Sequence, residues 1–480
     1  MMRETNKPRV FLYVPDGIGV RNYLYSDLID HLQGAHVGMY HQLPDWILAE
    51  LADRHAQPLE LHPLPAFGES KWQVLLREVA TFARLRRNSR IKQNPRIWRS
   101  LLLLKKRRGL MWWYYLAVQW LSWWVSLSHA AVCKADAMLE QSYLKGRYAA
   151  GFETLLAQTQ PDVILCTHQR VPAAGLMAAV ARKMGIPVVS AIFSWDNLPK
   201  SRITLRADYY IVWSDYMKAE MASYYPEVAA NRVLLTGTPQ FECYSASHLV
   251  EERTAFLQRY QLPTDRPLVL LSGNDLTSPN DEHYFEDIAS TVAKLPEQER
   301  PHLILRRAPA DHSNRFDGML QRYGHLFSVI DPDWRRTSEG NSWFDVLPAY
   351  EDVKLLSNLC RYCHVVVNIG STMGLDFAHF DKPAVYLHYQ KPYNQSWYDI
   401  DFIYGLEHFR TLDGLDAVAW IKSEADIWPV LQAAIGSPDK VATDRLKWKY
   451  RLTNDMATAS ANIARLLVEL AAQHRKGVNK

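Results

Sequence analysis

The sequence predicts an α/β protein made of two doubly wound domains, each a mostly parallel sheet with helices on both faces. Short apolar runs alternate with helical stretches of roughly 10 to 15 residues, a pattern typical of parallel strands buried between helices. The alternation runs from residue 10 to about 239 and begins again after the proline-bounded segment 263–267. With 480 residues, 48% hydrophobic and 22% charged, the composition is globular and excludes disorder, collagen and coiled coil.

The first domain is predicted to span residues 1–245. It opens with a strand at 10–14, a loop at 15–19 with two glycines, and an amphipathic helix at 23–32. Its later elements are strands at 162–167, 188–193, 209–213 and 233–235, and an alanine-rich helix at 171–184. The charged and polar start has no apolar secretory segment before the first strand, so we expect a cytoplasmic protein.

The second domain is predicted to span residues 246–440. Its expected elements are strands at 268–271, 302–305, 327–330, 364–369 and 384–387, and helices at 281–295 and 352–362. The end of the chain, 441–480, has an apolar stripe and is predicted to form a helix that packs back on the first domain. A ligand cleft is expected between the carboxyl ends of the two sheets.

A basic, tryptophan-rich segment at about 71–134 is predicted to be a helical insertion in the first domain. The chain has 55 basic and 51 acidic residues, a net charge of +4. Between Lys71 and Tyr115, however, there are 13 basic residues and one acidic residue, so this stretch carries +12 and the rest of the chain −8. Seven of the 16 tryptophans lie between Trp72 and Trp124.

The insertion includes a run without Asp, Glu, Lys or Arg, residues 110–133, which is long enough to span a bilayer. Trp and Tyr, which prefer the headgroup level, dominate this run. We therefore expect a helix that lies in the interface, with residues 84–124 on anionic lipid at the inner face of the cytoplasmic membrane. A buried helix and a membrane span are the alternatives. No nucleic-acid-binding module is recognisable, so no nucleic-acid partner is expected.

The five cysteines do not suggest a disulfide framework, because their number is odd and they are spread along the chain. Cys360-Arg361-Tyr362-Cys363-His364 matches the haem-attachment pattern, but it joins a predicted helix to a predicted strand. We interpret both thiols as buried. A zinc site made of cysteine pairs would need a second pair, which the sequence lacks. Neither a metal nor a bound cofactor is expected.

Two doubly wound domains with a C-terminal helix resemble the GT-B glycosyltransferases. Residues 350–385 are similar to the donor-binding half of bacterial GT-B enzymes near the CDP-glycerol glycerophosphotransferase and UDP-N-acetylglucosamine 2-epimerase group. Ser194-Trp195-Asp196-Asn197-Leu198, with 212–214 and 237–240, is similar to the acceptor half of surface-polysaccharide glycosyltransferases. The resemblance covers about residues 160–440. It implies a nucleotide-sugar donor, of unknown base, as co-substrate and a lipid-linked or polysaccharide acceptor.

Gly370-Ser371-Thr372 lies where the predicted strand 364–369 turns directly into a helix. Such a turn aims backbone N–H groups and the positive helix end at one point, which suits a nucleotide diphosphate. Two hydroxyl groups add donors there. The resemblance places an acidic residue that binds ribose hydroxyls at Asp376. The alternative is a plain helix N-cap.

Two further loops of the second domain are candidates for the donor site. Ser272, Gly273 and Asn274 follow the first strand and either supply backbone donors or form an ordinary turn. Arg306 matches the family's basic position, whereas Ala308 stands where relatives carry His, so His-assisted stabilisation of the phosphate is not implied. Because Arg306 and Arg307 point to opposite faces, we expect at most one to reach the diphosphate.

The catalytic base is expected at the carboxyl end of a strand in the first domain. Three residues qualify: Asp16 in the first loop, His168 after the strand 162–167, and Asp196 after the strand 188–193. A base must reach the acceptor hydroxyl by hydrogen bonding and have a suitable pKa. The alternatives are turn or cap carboxylates for Asp16 and Asp196 and a structural histidine for His168.

The resemblance implies a metal-independent glycosyltransferase. Asp331-Pro332-Asp333 and Asp399-Ile400-Asp401 have the spacing of a metal-binding Asp-x-Asp, but GT-A enzymes carry that motif in a nucleotide-binding domain near the N-terminus. A glycerophosphate or polyol-phosphate transferase and a nucleotide-sugar 2-epimerase are the enzymic alternatives. A nucleotide-sugar-binding scaffold is the non-enzymic one.

Overall fold

The structure is a computed structural model that describes residues 7–103, 105, 109–275, 278, 280–337, 343–391, 399–455 and 457–478. It divides into two domains. The first comprises Met1–Pro239, Leu406–His408 and Leu452–Lys480, and the second comprises Gln240–Gly405 and Phe409–Arg451. The division at Pro239 lies close to the boundary predicted at 245.

Seven parallel strands of the described chain form the sheet of the first domain. They are β1 (Arg9–Val14), β2 (His36–His41), β3 (Glu60–Pro63), β4 (Val163–Cys166), β5 (Val188–Ala191), β6 (Tyr209–Val212) and β7 (Val233–Leu235). Their order is β3-β2-β1-β4-β5-β6-β7. Successive strands are therefore added toward one edge from β1 to β3 and toward the other edge from β4 onward, and we call the position between β1 and β4 the reversal of the sheet. The predicted strands β1 and β4–β7 are present. The sequence prediction missed β2 and β3, because β3 is an edge strand with alternate residues exposed and β2 contains two histidines and a glycine.

Within the described ranges, ten α-helices of the first domain precede residue 239. They are α1 (Gly17–Gly19), α2 (Asp45–Arg54), α3 (Lys71–Lys92), α4 (Arg96–Leu103), α5 (Leu110–Ser126), α6 (His129–Leu144), α7 (Ala149–Thr159), α8 (Pro172–Lys183), α9 (Asn197–Lys200) and α10 (Asp215–Tyr224). The helix predicted at 23–32 is wrong. The chain forms a π-helical turn at Val20–Leu24 and a 3₁₀ turn at Asp30–Leu32 instead. The apolar residues that suggested a helix are nevertheless buried, in these two turns and in the segment between them: Tyr23, Leu24, Leu28, Ile29 and Leu32.

The insertion between β3 and β4 is helical. Helix α5 packs against α3, with Tyr115 and Val118 on Val79 and Phe82, and partly buried apolar side chains of α4 extend this cluster. Ser70 caps α3 in a reciprocal arrangement with Gln73, which fixes where the insertion starts. Among the described residues, no helix is both long enough and apolar enough to cross a membrane.

In the described part of the second domain, six parallel strands form the main sheet and two antiparallel strands form a small separate pair. The eight strands are β8 (Leu268–Ser272), β9 (His302–Arg306), β10 (Phe327–Val329), β11 (Trp334–Arg336), β12 (Val346–Pro348), β13 (Val365–Asn368), β14 (Ala384–Leu387) and β15 (Ala419–Ile421). The order β10-β9-β8-β13-β14-β15 reverses between β8 and β13. The predicted α/β class with two doubly wound sheets is confirmed.

The helices from residue 253 onward are α11 (Arg253–Arg259), α12 (Asp281–Ala293), α13 (Asp317–Tyr323), α14 (Tyr350–Tyr362), α15 (Met373–Ala378), α16 (Ile400–Tyr404), α17 (Ile427–Gly436), α18 (Arg445–Thr453) and α19 (Ala459–Val478). The chain end is thus two helices, α18 and α19, and not one. Asn454 and Asp455 have φ values of +50° and +48°, a conformation that ends a right-handed helix. Helix α19 packs against β1 and β4 of the first sheet.

Candidate active site

The structure brings Asp16 and His168 together at the point where the first sheet reverses direction. Asp16 follows β1 and His168 follows β4, and these strands are neighbours. The Asp16 carboxylate accepts a hydrogen bond from His168 Nδ1, and both residues are buried. In parallel α/β sheets, ligands bind at the carboxyl ends of the strands beside such a reversal.

Local structure holds the Asp16 carboxylate in place. Its Oδ1 accepts from the N–H groups of Ile18 and Gly19, each at 3.1 Å, and so caps the short helix α1. Gly19 lies so close to β4 that a Cβ there would be 2.5 Å from Thr167 Oγ1. The glycine therefore lets the capping loop approach the strand that carries His168. With Nδ1 donating to Asp16, Nε2 is the acceptor nitrogen of the imidazole.

Asp196 lies at the next strand end, in the loop after β5, and is bound to other groups. Its Oδ1 accepts from Ser194 Oγ at 2.6 Å and from Asn197 Nδ2 at 3.1 Å, and its Oδ2 accepts from Lys200 Nζ at 2.9 Å. Gln169, which follows His168, donates to Asn197 Oδ1 at 2.7 Å. The loop is thus joined to the residue after His168, while Asp196 itself has its own set of donors.

These donors keep Asp196 ionised. Burial raises its pKa, but Lys200 and His408 outweigh that effect and hold the pKa well below its ordinary value. Burial also lowers the pKa of His408, to about 3, so the imidazole is neutral at physiological pH. At neutral pH, Lys200 and the Ser194 hydroxyl therefore stabilise the negative charge of Asp196. A carboxylate held this firmly in its ionised form is a poor proton acceptor.

Two further residues near these loops escaped the sequence prediction. Arg170 is exposed and interacts electrostatically with both Asp16 and Asp196. Glu220, on α10, is 6% exposed, and its Oε2 has no hydrogen-bond partner among the described residues. Burial raises the pKa of Glu220 to about 8, with Lys92 opposing and Glu407 adding to the shift. An acidic residue on a helix resembles a surface residue in sequence, so no signal distinguished it.

In the second domain, the sheet gathers the three predicted donor loops at one edge. Arg306 ends β9, Ser272 ends β8, and Gly370 follows β13, and these three strands are adjacent. Asn274 Nδ2 donates to Ile369 O at 3.1 Å, and Gly273 N donates to Arg306 O at 2.9 Å. The loops therefore contact one another directly at the reversal of the second sheet.

The conformation of Gly370 fixes the backbone of the loop Gly370-Ser371-Thr372. Gly370 has φ +65°, and a Cβ there would be 2.4 Å from Phe409 Cζ, so only glycine fits. Ser371 N donates to Asn368 Oδ1 at 2.9 Å, and Ser371 O accepts from Tyr386 Oη at 3.0 Å. Helix α15, which begins after Thr372, has six residues. Ser371 and Thr372 are half-buried.

Adjacent arginines on β9 have different partners. Arg306 is 5% exposed, donates from Nη2 to Asp352 Oδ1 at 2.7 Å, and keeps an Nη1 without a partner among the described residues. Arg307 is half-buried and forms a two-pronged ion pair with Asp331. The expected alternation is present, and Arg306 is the inward residue.

Hydrogen bonds within the second domain fix the loop Ser272-Gly273-Asn274. Asn274 N donates to Asp281 Oδ2 at 2.6 Å, and Arg315 donates to Asn274 O at 2.7 Å. Burial raises the pKa of Asp281 to about 6, against Arg315 and the Asn274 N–H. Because Gly273 N donates to Arg306 O, the N–H groups of both Gly273 and Asn274 have partners within the domain. Asp281 and Arg315 brace the loop, and the sequence prediction did not identify them.

Asp376 lies on α15 and is 3% exposed. One of its carboxylate oxygens accepts from Tyr244 Oη at 2.7 Å. The hydroxyl of Tyr244 thus occupies one acceptor position of the carboxylate. A role toward ribose stays a prediction for this residue.

The Asp-x-Asp sequences have partners of their own. Asp331 pairs with Arg307, Asp399 caps α16 by accepting from Phe402 N at 2.8 Å, and Asp401 accepts from His388 at 2.8 Å. In the part of the chain that the structure describes, neither motif belongs to a cluster of three potential metal ligands.

The insertion presents an exposed aromatic surface, which we call the tryptophan face. It consists of Trp112, Trp113, Trp120, Trp123 and Trp124, which are 45%, 64%, 62%, 43% and 52% exposed. Leu110, Leu116 and Leu127 extend it. None of these side chains belongs to the cluster through which α5 packs on α3. Tryptophans this exposed are unusual on a water-facing surface, because a large apolar area stays hydrated.

Part of the insertion's positive charge is neutralised within the domain. Arg84 is 1% exposed and pairs with Asp136 and Glu227, Arg77 pairs with Glu69, and Lys105 pairs with Glu78. Lys71, Arg90 and Arg99 are exposed. Three further basic residues before α5, at 106–108, lie outside the described residues.

Comparison with solved structures identifies the fold. S. aureus MnaA in complex with UDP matches at 9% identity over 95% of this chain and 94% of that one, with a TM-score of 0.52. The UDP-GlcNAc 2-epimerase from Neisseria meningitidis, bound to UDP-GlcNAc, matches at 10% identity over 96% and 100%, with a TM-score of 0.50. The UDP-GlcNAc 2-epimerase from Methanocaldococcus jannaschii matches at 10% identity over 96% and 99%, with a TM-score of 0.52.

The fold is of the GT-B type. The likeness covers nearly the whole length of this chain and of each matched chain. In this chain, both parallel sheets change their strand order once. No protein-family model matches the chain, and no curated protein does.

Proposed function

We propose that the protein is a nucleotide-sugar-dependent glycosyltransferase whose acceptor is a lipid-linked or polysaccharide glycan. The hydrogen-bonded pair of Asp16 and His168, at the reversal of the first sheet, carries the proposal. A histidine oriented by a buried carboxylate is suited to remove a proton from a hydroxyl group. The UDP and UDP-GlcNAc in the structures with this fold support a nucleotide sugar as the donor.

In the proposed reaction, His168 Nε2 accepts the proton of the acceptor hydroxyl as that oxygen bonds to the anomeric carbon. The bond from the anomeric carbon to the diphosphate breaks, and its electron pair leaves with the diphosphate. Asp16 is a positioning residue, because it holds Nδ1 as the donor and stabilises the imidazolium that forms. Ser371, Thr372 and Arg306 stabilise the charge of the leaving diphosphate.

Donor turnover tests the enzymatic proposal. The full-length protein is incubated with UDP-, CDP- and GDP-sugars and a detergent-solubilised lipid extract, and nucleoside diphosphate release and glycosylated product are measured. We expect release that depends on the acceptor. His168→Ala should lower the rate by roughly 10²–10⁴-fold. Undiminished turnover by a folded His168→Ala protein would contradict the assignment.

The first domain contains a matched control pair. His55 is buried, and its Nδ1 lies 3.1 Å from Asp30 Oδ1. Asp16→Asn should lower kcat and change the pH profile of the rate, whereas Asp30→Asn should leave both unchanged. If the two substitutions act alike, Asp16 has only a structural role.

A 2-epimerase is the second candidate, since two of the solved structures described above are UDP-GlcNAc 2-epimerases. Such an enzyme would interconvert UDP-GlcNAc and UDP-ManNAc without any acceptor. The same incubation without lipid extract, followed by separation of the two nucleotide sugars, decides between the activities. Binding of donor with neither product would support a nucleotide-sugar-binding scaffold.

The tryptophan face supports the lipid-linked acceptor in our proposal. Indole rings favour the headgroup level of a bilayer, and exposed Arg90 and Arg99 lie on neighbouring helices of the insertion. We therefore place the enzyme on anionic lipid, with α5 lying in the interface. This binding needs no membrane-spanning helix.

Vesicle flotation tests the lipid contact. The protein is mixed with vesicles of phosphatidylglycerol and phosphatidylcholine, or of phosphatidylcholine alone. We expect flotation with the anionic vesicles and about a tenfold loss of binding, equal to about 1.4 kcal/mol, when Trp113, Trp120 and Trp124 are replaced by Ser. Phe344→Ser is the control, since Phe344 is 56% exposed in the second domain. Absence of flotation would contradict lipid binding. So would a wild-type dimer that dissociates in the triple variant, because the tryptophan face would then be a contact between two copies of the chain.

A further inference from the structure

Three side chains of metal-ligating type meet beside the insertion. His129 and Cys133 lie one turn apart on α6, and Glu227 follows α10. One ligand atom from each lies within 4.8 Å of the other two. In the described part of the chain, no other set of three His, Cys, Asp or Glu side chains converges in this way. None of the three takes part in the proposed transfer reaction.

Two of the three ligand-to-ligand distances match those around a single zinc ion. Cys133 Sγ lies 3.6 Å from His129 Nε2, and Glu227 Oε2 lies 3.5 Å from the same nitrogen. Ligand atoms bonded to one tetrahedral zinc at about 2.0–2.3 Å are roughly 3.4–3.6 Å apart. A histidine and a thiolate, with one carboxylate, form a donor set that zinc prefers over magnesium or calcium.

A hydrogen-bonded relay would place the groups differently. In a relay, the thiol and the carboxylate use different ring nitrogens, one on each side of the imidazole. Here both Cys133 and Glu227 lie nearest to Nε2, although the thiol is also 3.9 Å from Nδ1. The thiol therefore lies beside the ring, and binding of a metal ion at Nε2 requires the Cys133 side chain to turn toward that nitrogen.

The surroundings provide support and access for an ion. Arg84 donates to Glu227 Oε1 at 2.6 Å, which fixes the carboxylate and leaves Oε2 directed at His129. Asp136 balances the Arg84 charge through a 2.8 Å contact. Cys133 and Glu227 also line a cavity of about 630 Å³, so an ion and a water ligand can enter.

The surroundings affect the histidine and the thiol in opposite ways. Burial lowers the pKa of His129, and Arg87 lowers it further, which favours the neutral imidazole that a metal needs. Burial raises the pKa of Cys133, and Glu227 adds to this effect. A zinc ion would therefore displace the thiol proton as it binds.

We propose that His129, Cys133 and Glu227 bind a zinc ion, with a water molecule as the fourth ligand. The ion would join α6 of the insertion to the segment that follows α10. Because the insertion also carries the tryptophan face, the zinc would stabilise the attachment of that face to the sheet domain. The inference does not depend on the proposed transferase activity.

Metal analysis tests the site directly. The full-length protein, kept reduced, is treated with EDTA, dialysed against zinc chloride and assayed for bound zinc and for thermal stability. We expect one zinc per chain and a higher unfolding midpoint with zinc. His129→Ala and Cys133→Ser should abolish both effects. Cys243→Ser is the control, since Cys243 is a half-buried thiol of the second domain.

Cobalt identifies the ligands. Cobalt(II) bound in place of zinc should show a thiolate-to-cobalt charge-transfer band that Cys133→Ser removes and Cys243→Ser retains. No bound metal at micromolar zinc would overturn the proposal. So would zinc that stays bound in the His129→Ala/Cys133→Ser double variant.

Discussion

Arg306 and Arg307 are neighbours in sequence, and the alternation along β9 gives them opposite surroundings. Arg306 is buried on Asp352, whose second oxygen accepts from Trp334 Nε1 at 2.8 Å. Arg307 pairs with Asp331 where both side chains are about one-third exposed. The position along β9 and the acidic partner, and not the residue type, decide which of the two arginines is buried beside the predicted donor loops.

Substituting the two arginines should have unequal effects. Arg306→Gln leaves Asp352 buried without its cation, so the free energy of unfolding should fall by about 3–5 kcal/mol. Arg307→Gln removes a half-exposed pair and should cost about 0–1 kcal/mol. Urea unfolding measures both. Calorimetric titration with UDP should show weaker binding only in the Arg306 variant, and equal losses would contradict its assignment.

Glu220 should make stability depend on pH. Its pKa is about 8 in the folded state, well above the ordinary value near 4.3, so the folded state binds more protons between these values. Stability should therefore fall as pH rises from about 4.3 to 8, by up to about 1.4 kcal/mol per pH unit. Glu220→Gln should flatten this dependence.

Thermal unfolding from pH 5 to pH 8 measures the effect. The exposed Glu297 provides the control, and Glu297→Gln should leave the slope unchanged. A wild-type slope equal to that of Glu220→Gln would show that Glu220 ionises normally.

Among the elements, the βα loops at the two sheet reversals carry the candidate site, and the loop after β13 is the most constrained. Gly370 combines a positive φ with contact to Phe409. The strands that these loops follow are buried along their length, and long apolar runs predicted them well. Helix ends were harder to predict, because Asn and Asp favour the left-handed conformation of Asn454 and Asp455 but are also common elsewhere.

Gly370→Ala should be more harmful than another glycine substitution of similar φ. Gly414, in the same domain, has φ +74°, and no atom lies within 4 Å of the point that a Cβ would occupy. Gly414→Ala should therefore cost only about 1 kcal/mol of backbone strain. Gly370→Ala adds overpacking against Phe409, about 1–3 kcal/mol more, and should weaken UDP binding. Similar unfolding free energies for the two variants would contradict this close contact.

Across the whole molecule, all five cysteines are free thiols. Cys360 and Cys363 close α14, and Lys382 Nζ donates to the carbonyl of Cys363 at 2.6 Å. His364 Nδ1 accepts from Leu268 N at 3.1 Å. Both cysteines of the C-x-x-C-H sequence are thus buried in the second domain, as its position between a helix and a strand suggested.

The free thiols predict how the molecule responds to reductant. Burial raises the pKa values of Cys166 and Cys363 to about 12, so both should be unreactive in the native protein. The unfolding midpoint of metal-free protein should be the same with and without reductant. Thiol titration should find five reactive groups after denaturation and at most two, Cys133 and Cys243, before it. A midpoint lowered by reductant would reveal a disulfide.

The sequence by itself determined the two-domain α/β class, the inner strands and the loops that follow them. These features follow from local patterns, since a strand buried on both faces must be apolar along its length. The strands β2 and β3, at one side of the first sheet, were missed because their sequences are mixed.

Only the tertiary structure decided which residues act together. Asp16 and His168 are 152 residues apart in sequence, and β1 and β4 bring them into contact. His129 and Cys133 meet Glu227 from a distant part of the chain in the same way. Likewise, the apolar pattern of α5 allowed burial or exposure, and its packing on α3 left the tryptophans outside. Side-chain partnerships depend on long-range register, which no local pattern encodes.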